Sequence, residues 1–341
     1  MTPQPAGVQE IDELRAIVAE GGGRLEHRVV GETIEGLALE TIAIGNASLD
    51  TPAVGFFGGV HGLERIGVRV LLTYLRSLVR RLAWDVTLHR QLEHVRLVFM
   101  PLVNPSGLLR GTRANANGVD LMRNAPLEAD EPVLWLIGGQ RISAALPWYR
   151  GRAGMPMEAE SRALCDVVER ELLARPFGIA LDCHSGFGAV DRIWFPHAHT
   201  RRPIEHLAEV HALRDVFEST HAHHRYVIEP QSRQYLAHGD LWDHLYERGR
   251  EREGCTFLPL TLEMGSWIWV KKNPRQLFSR QGIFNPLVEH REHRVLRRHV
   301  AWFDFLTRAA ASHAHWVPRG DERARHERAA LERWYAPRAA P

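Results

Sequence analysis

The sequence contains little cysteine, little lysine and little net charge. Its three cysteines, Cys165, Cys183 and Cys255, lie far apart and form no C-x-x-C pair. This spacing argues against a disulfide framework and against a cysteine-rich zinc site. Lysine occurs only at Lys271 and Lys272, and 43 basic residues nearly balance 41 acidic ones, which gives a formal charge of +2. Such a balance leaves no electrostatic footprint for a nucleic-acid partner.

Long hydrophobic runs are also missing. No apolar stretch approaches the roughly 20 residues that a membrane helix needs, so we expect no membrane partner. The N-terminal segment MTPQPAGVQEIDELRAIV lacks the basic and then apolar arrangement of a signal peptide. These absences predict a cytoplasmic protein, and they leave its oligomeric state open. A hydrophobic content of 45% and a charged content of 25% are typical of a globular chain.

Short apolar segments rich in β-branched residues alternate with helical patterns along the chain. The predicted strands are 25–31, 37–44, 53–60, 95–103, 179–185, 192–197 and 256–264, and the predicted helices are about 65–80, 159–174, 204–222, 239–248 and 289–310. The pattern predicts a single α/β domain over residues 1–317, with a central mixed, largely parallel sheet flanked by helices on both faces. Residues 318–341 are rich in arginine and alanine and are expected to form a loosely held helix or a polar tail.

Two histidines and a glutamate follow predicted strands. His61 and Glu64 come directly after strand 53–60, and His184 lies near the end of strand 179–185. The carboxyl ends of strands border the binding crevice of an α/β sheet, so these side chains can meet at one ion, and their donor atoms suit Zn²⁺. Asp182 lies on the same strand face as His184 and could hold that ring in place. The alternatives are a helix cap for the first pair and a backbone-bonded, buried histidine for His184.

Glu263 and two arginines complete the set of candidates. An acidic side chain at the end of the apolar strand 256–262 is costly unless it is paired, adjacent to a metal or catalytic. Glu263 is therefore a candidate general base, and an ion pair with an arginine is the alternative. In the turn-rich segment 110–124, Arg113 and Arg123 carry guanidinium groups that suit a carboxylate, although surface arginines in a solvated loop are the alternative.

Taken in order, these residues resemble the zinc carboxypeptidases of the M14 family. The resemblance covers roughly residues 50–270, and its motifs stand in the order and spacing that the family uses. The motifs are His61-x-x-Glu64, Asn104-Pro105-Ser106-Gly107, Arg113-Ala-Asn-Ala-Asn-Gly-Val-Asp-Leu-Met-Arg123-Asn124, Asp182-x-His184, Tyr235-Leu-Ala-His-Gly239-Asp-Leu-Trp242-Asp243 and Leu262-Glu263. The resemblance implies a hydrolase that uses one zinc ion per chain to remove the C-terminal residue of a peptide.

The resemblance implies a role for each residue around the ion. His61, Glu64 and His184 would bind zinc. Asp120 would accept a hydrogen bond from a zinc-binding histidine. Glu263 would be the general base that activates the attacking water and the acid that protonates the leaving amine.

It also implies roles on the substrate side. Arg113 would polarise the scissile carbonyl and stabilise the oxyanion, with Arg110 as the alternative because the length of the preceding loop is uncertain. Tyr235 would close over the substrate. Arg123 and Asn124 would bind the terminal carboxylate of the substrate. Trp242 would line the pocket for the substrate side chain.

One position departs from the family pattern, in which an asparagine precedes the carboxylate-binding arginine. Met122 stands at that place and would weaken the grip on a terminal carboxylate. The expected substrate is a peptide or an N-acyl amino acid. Two alternatives therefore stay open: an N-acyl amino acid amidohydrolase of the aspartoacylase and succinylglutamate desuccinylase type, and a homologue that keeps the fold and only binds.

Overall fold

Eight strands form one mixed sheet across residues 8–279 and 281–337, the part of the chain that the computed structural model describes. The strands are β1 (Glu26–Glu32), β2 (Ala38–Gly45), β3 (Ala53–Gly58), β4 (Arg96–Met100), β5 (Phe177–Ser185), β6 (Arg192–Phe195), β7 (Val227–Pro230) and β8 (Thr256–Met264). Their order across the sheet is β1-β2-β4-β3-β5-β8-β6-β7. The four central strands β4, β3, β5 and β8 are parallel, and antiparallel pairings extend the sheet on both sides. The predicted mixed sheet is confirmed.

Helices connect the strands and cover the sheet. They are α1 (Val8–Gly21), α2 (Arg65–Arg81), α3 (Val86–Leu92), α4 (Pro105–Arg110), α5 (Ala159–Glu171), α6 (Leu207–Thr220), α7 (Leu241–Arg250), α8 (Trp267–Lys272), α9 (Glu289–Ala311) and α10 (Gly320–Tyr335). Among the residues described, no helix combines the length and the apolar character that crossing a bilayer would require.

Adjacent phenylalanines of β3 show that both faces of the sheet are covered. The ring of Phe56 stacks on Phe303 of α9 at a centroid distance of 4.9 Å, and Tyr74 of α2 meets it edge-on at 5.5 Å. The ring of Phe57 lies 5.1 Å from that of Trp242 in α7. Because successive side chains of a strand point to opposite faces, α2 and α9 cover one face and α7 covers the other. The predicted placement of helices on both faces is therefore confirmed.

The parallel centre of the sheet brings the candidate residues to one edge. Every residue of β3 and β5 is buried, as expected for apolar strands covered on both faces. The register places His184 of β5 directly beside Glu263 of β8. The chain leaves the neighbouring strand β3 after Gly58 and continues into the turn that carries His61 and Glu64.

Most of the C-terminal segment forms the helix α10, which packs on the sheet. Trp334 is 3% exposed, its ring lies 4.8 Å from that of Phe195, and its Nε1–H donates to the carbonyl oxygen of Ile228 at 2.8 Å. Ala330, one turn earlier, is also buried. Ala330 and Trp334 are four residues apart and therefore share the face of α10 that packs on the sheet. Residues 338–341 lie outside the described ranges.

Candidate metal centre and active site

Three predicted ligands converge at the edge of the sheet. The Nδ1 atom of His61 lies 3.0 Å from Oε1 of Glu64 and 3.1 Å from Nδ1 of His184, and His184 Nδ1 lies 3.2 Å from Glu64 Oε2. Ligand atoms about 2.0–2.1 Å from a tetrahedral zinc ion stand roughly 3.3 Å apart. All three residues are buried. The spacing of the three donors therefore fits a small divalent cation.

The outer nitrogen of each imidazole is held by a carboxylate. His61 Nε2 lies 3.0 Å from Asp120 Oδ1, and His184 Nε2 lies 2.6 Å from Asp182 Oδ2. Since a carboxylate only accepts, each Nε2 carries a proton, and in the neutral ring the Nδ1 atom then presents a lone pair. The two Nδ1 atoms lie 3.1 Å apart, so two such lone pairs would repel each other unless a cation lay between them. This donor chemistry fits zinc.

The turn between β3 and α2 fixes the first two ligands. Gly62 packs so closely on α4 that a Cβ atom there would lie 1.9 Å from the carbonyl carbon of Gly107. The backbone N–H of Ser185, just after His184 in β5, donates to Glu64 Oε2 at 2.8 Å. A close helix contact and a hydrogen bond from the neighbouring strand thus orient the Glu64 carboxylate toward the imidazoles.

Arg113 joins the two carboxylates of the centre. Its Nε donates to Asp120 Oδ2 at 2.8 Å and its Nη1 donates to Glu64 Oε1 at 3.3 Å. Burial raises the pKa of Asp120, but Arg113 and His61 outweigh burial and hold that pKa well below its ordinary value. Burial likewise raises the pKa of Glu64, and the charges and hydrogen bonds of His61 and His184 bring it below its ordinary value. Both carboxylates are therefore ionised.

Glu263 has the opposite electrostatic environment. Burial, followed by the negative charge of Glu64, raises the pKa of Glu263 to about 8. Its Oε1 accepts a hydrogen bond from the backbone N–H of Phe187 at 3.0 Å, which fixes the carboxyl group beside His184. A carboxyl group whose pKa lies near neutrality can take up a proton and release it again, as a general base requires.

Arg123 and Tyr235 form a second buried group close to the centre. Arg123 Nη2 donates to the Tyr235 hydroxyl oxygen at 3.4 Å, and Arg123 Nη1 lies 3.8 Å from Asp240 Oδ2. Within the described residues, neither Arg123 Nε nor Asp240 Oδ2 has a hydrogen-bond partner. Burial raises the pKa of Tyr235 above its ordinary value. The positive charges of Arg123 and Arg113 oppose this shift, and the negative charge of Glu263 adds to it. This pair is therefore placed to receive an anionic group.

The structure corrects the expectation for Trp242. The indole is buried and packs on Phe57 in the hydrophobic core. Its Nε1–H donates to Asp182 Oδ2 at 2.9 Å, the same oxygen that accepts from His184. Trp242 thus supports a metal ligand through Asp182, because it occupies the side of α7 that faces the sheet.

Two further residues expected on the substrate side make contacts elsewhere in the fold. Arg110 lies on the exposed surface at the end of α4, where it pairs with Glu35, so Arg113 is the arginine at the centre. Asn124 is buried and uses both ends of its amide in the fold. Its Nδ2 donates to the Arg150 carbonyl oxygen at 3.0 Å, and its Oδ1 accepts from the Glu158 N–H at 2.7 Å.

Met122 packs in the core beside Arg123. Its side chain is 5% exposed and belongs to the hydrophobic cluster that contains Phe57 and Trp242. A thioether there offers no N–H donor to an anion. The departure from the family pattern at this position therefore removes a hydrogen-bond donor from the surroundings of Arg123.

Sequence reasoning missed an aromatic cluster around Tyr235. The ring of Phe187 lies 5.1 Å from that of Trp194 and 6.2 Å from that of Trp267, and the Trp194 ring lies 6.0 Å from that of Tyr235. The backbone N–H of Phe187 also holds Glu263. The signal available in the sequence was the position of Phe187, three residues after His184, but contacts with Trp194 and Trp267 depend on the tertiary fold.

The family match decides the membership of the chain. The profile of the zinc carboxypeptidases of the M14 family matches residues 11–265. The chain belongs to the zinc carboxypeptidase family. The predicted resemblance is thus confirmed over most of the sequence, and it includes every candidate ligand.

Two curated relatives of this zinc carboxypeptidase homologue are carboxypeptidases. Identity to carboxypeptidase SOL1 of Arabidopsis thaliana is 33% over 100 residues, which is 28% of this chain and 20% of that protein. Identity to human carboxypeptidase B is 23% over 206 residues, which is 58% of this chain and 48% of that protein. The chain therefore spans less than half the length of each of these two relatives.

Solved structures show the same fold. The thrombin activatable fibrinolysis inhibitor superposes with a TM-score of 0.67 at 20% identity, covering 92% of this chain and 74% of that chain. Carboxypeptidase A from Helicoverpa armigera superposes with a TM-score of 0.65 at 18% identity, covering 90% of this chain and 73% of that chain. Bovine thrombin-activatable fibrinolysis inhibitor, solved in complex with a tick carboxypeptidase inhibitor, superposes with a TM-score of 0.66 at 18% identity, covering 90% of this chain and 97% of that chain. At these identities the likeness concerns the fold alone.

Proposed function

We propose that the protein is a zinc-dependent carboxypeptidase that removes the C-terminal residue of a peptide. The observation that carries the proposal is the buried guanidinium of Arg123, whose Nε–H has no partner among the described residues. Leaving a buried polar group unpaired costs about 1–3 kcal/mol. A substrate carboxylate beside Arg123 and the Tyr235 hydroxyl would remove that cost through charge-assisted hydrogen bonds.

The donor set next to this pair supports zinc as the resident metal. His61, Glu64 and His184 would hold the ion, with Asp120 and Asp182 fixing the two imidazoles. When bound, zinc would supply the Lewis acidity that polarises a carbonyl and lowers the pKa of water. Three protein ligands leave a coordination position open, which is typical of catalytic rather than structural zinc sites.

The residues of the chain would divide the remaining work. Glu263 takes a proton from the attacking water and then donates it to the leaving amine nitrogen, a role that its raised pKa favours. Arg113 stabilises the negative charge that develops on the carbonyl oxygen, and one such donor contributes about 3 kcal/mol in comparable sites. Arg123 and Tyr235 hold the terminal carboxylate and so set the position of the scissile bond.

Substitution of the proposed base tests this function. Glu263→Gln keeps the shape of the side chain but cannot take up a proton, so we expect kcat for a blocked dipeptide to fall at least about a hundredfold. Zinc content, measured by mass spectrometry, should stay unchanged. The matched control is Glu169→Gln in α5, which replaces a partly exposed glutamate outside the site and should leave kcat unchanged. Unchanged hydrolysis by Glu263→Gln would contradict the mechanism.

A second candidate function is favoured by Met122. A site without the asparagine donor at this position could take a small N-acyl amino acid, whose carboxylate also fits Arg123. A substrate panel separates the two functions: blocked dipeptides and tripeptides on one side, and N-acetyl and N-succinyl amino acids on the other. We expect the peptides to have the higher kcat/KM. Faster cleavage of the N-acyl amino acids would favour the amidohydrolase, and stoichiometric zinc with no hydrolysis would favour a binding protein.

A further inference from the structure

Two histidines and an aspartate meet between α6 and α10, helices that carry none of the candidate active-site residues. His211 and Asp215 are four residues apart in α6 and therefore lie on the same face of the helix. His326 reaches them from α10, and its Nδ1 lies 2.9 Å from Nδ1 of His211. Asp215 Oδ2 lies 3.4 Å from the Nδ1 of His211 and 3.9 Å from that of His326. Three donors from two helices thus face one point.

The distances within this cluster fit the coordination of a cation. Nitrogen and oxygen ligands of tetrahedral zinc stand roughly 3.3–3.5 Å apart, and the three separations here bracket that value. One hydrogen bond can join the two rings without an ion. Asp215 Oδ2 would then lie too far from either ring for a strong hydrogen bond. A cation at the centre would engage all three side chains.

The surroundings leave one carboxylate oxygen available. Arg214 Nη1 donates to Asp215 Oδ1 at 2.8 Å, which turns Oδ2 toward the histidines. His211 is buried, whereas 21% of the His326 side chain and 44% of the Asp215 side chain are exposed. An ion and a water ligand can therefore enter from the solvent side.

We propose that His211, Asp215 and His326 bind one divalent cation, and that this ion fastens α10 to α6. Two imidazoles and one carboxylate match zinc best among the common divalent ions. α10 is also attached by the buried Trp334 and by the Arg323–Glu209 ion pair at 2.8 Å, and His326 lies between these two attachments along the helix. Because Asp215 is half exposed and shared with Arg214, this site binds zinc more weakly than the candidate active site.

Zinc stoichiometry tests the proposal. The full chain is stripped with a chelator and titrated with ZnCl₂ by isothermal titration calorimetry, with the thermal unfolding midpoint recorded at each ratio. We expect two equivalents for the unaltered chain, one for His326→Ala and one for His184→Ala. The second equivalent should raise the midpoint of the unaltered chain, since an ion that binds only the folded state stabilises it, and should not raise that of His326→Ala. A His326→Ala chain that binds as many equivalents as the unaltered chain would overturn the proposal, whereas the loss of one equivalent in His184→Ala reports on the candidate active site alone.

Two controls separate the α6–α10 site from general effects of substitution. His293→Ala removes an exposed histidine of α9 and should keep both equivalents. Peptide hydrolysis by His326→Ala, loaded with one equivalent of zinc, should equal that of the unaltered chain. Should His326→Ala fail to fold, Asp215→Asn keeps the volume and removes the charge. It should lose the second equivalent, and its retention would overturn the proposal.

Discussion

One buried oxygen of Asp182 contacts both the candidate metal centre and the core. Its Oδ2 accepts from His184 at 2.6 Å and from the indole of Trp242 at 2.9 Å. The first contact fixes the tautomer of a candidate zinc ligand, and the second ties that ligand to α7. A residue in the hydrophobic core is thereby expected to influence the affinity of the candidate metal site.

Trp242→Phe removes the indole donor and should weaken zinc binding. Loss of a hydrogen bond behind a metal ligand costs about tenfold or more in affinity, and we expect that loss in a competition titration with a zinc chelator. The control is Trp316→Phe, which removes an indole bond of 2.7 Å to the Ala309 carbonyl oxygen and a similar volume. Equal zinc affinity in the two variants would show that the Trp242–Asp182 bond does not influence the metal.

Met122→Asn tests the position at which the chain departs from its family. An asparagine would return an N–H donor beside Arg123, and one hydrogen bond to a charged group contributes about 1.5–3 kcal/mol. We expect KM for a blocked dipeptide to fall about tenfold. We also expect a lower free energy of unfolding, because a polar side chain replaces a buried apolar one. Met122→Leu, which keeps the apolar volume, should leave KM unchanged. An equal change in KM for the two variants would exclude the donor as the cause.

At the scale of elements, continuous apolar strands were the most predictable part of the fold. The bounds of β5 and β8 lie within two residues of the predicted ones, because burial on both faces leaves an unbroken apolar run in the sequence. β7 was missed, since its four residues include Glu229 and Pro230 and form an edge strand. The hydrogen bond between His61 and Asp120 joins residues 59 positions apart, and only the family resemblance indicated it. The apolar residues of α7 share one face, so the sequence could indicate that Trp242 is buried, but not that its indole N–H reaches Asp182.

The attachment of α10 depends on Trp334. Truncation of a buried tryptophan costs about 3–5 kcal/mol, so Trp334→Ala should lower the free energy of unfolding in urea by about that amount. Amide exchange over 320–335 should accelerate more than exchange in β5, since α10 can detach while the central strands stay paired. Glu332→Ala, at an exposed position of the same helix, is the control. A loss below about 1 kcal/mol for Trp334→Ala would contradict the packing of α10.

At the scale of the whole molecule, a buried histidine of α9 makes stability depend on pH. His299 is 1% exposed, and its Nδ1 lies 2.9 Å from the Tyr226 hydroxyl oxygen. Burial, assisted by the positive charge of Arg298 and opposed by Asp191, lowers the pKa of His299 from 6.5 to about 4. The folded chain thus keeps this imidazole neutral at pH values where the unfolded chain binds a proton.

Acid should therefore favour unfolding between about pH 6.5 and pH 4. The contribution of the neutral His299 to the free energy of unfolding is complete above the pKa of the unfolded chain and decreases as the pH falls toward the pKa of the folded chain. The total decrease across that range is about 3 kcal/mol. His299→Gln keeps an acceptor for Tyr226 but does not titrate. The difference in urea unfolding free energy between pH 7 and pH 4.5 should be smaller in this variant by about 2 kcal/mol. His290→Gln, at an exposed position of the same helix, should keep the full difference, and equal differences in the two variants would exclude His299 as the source.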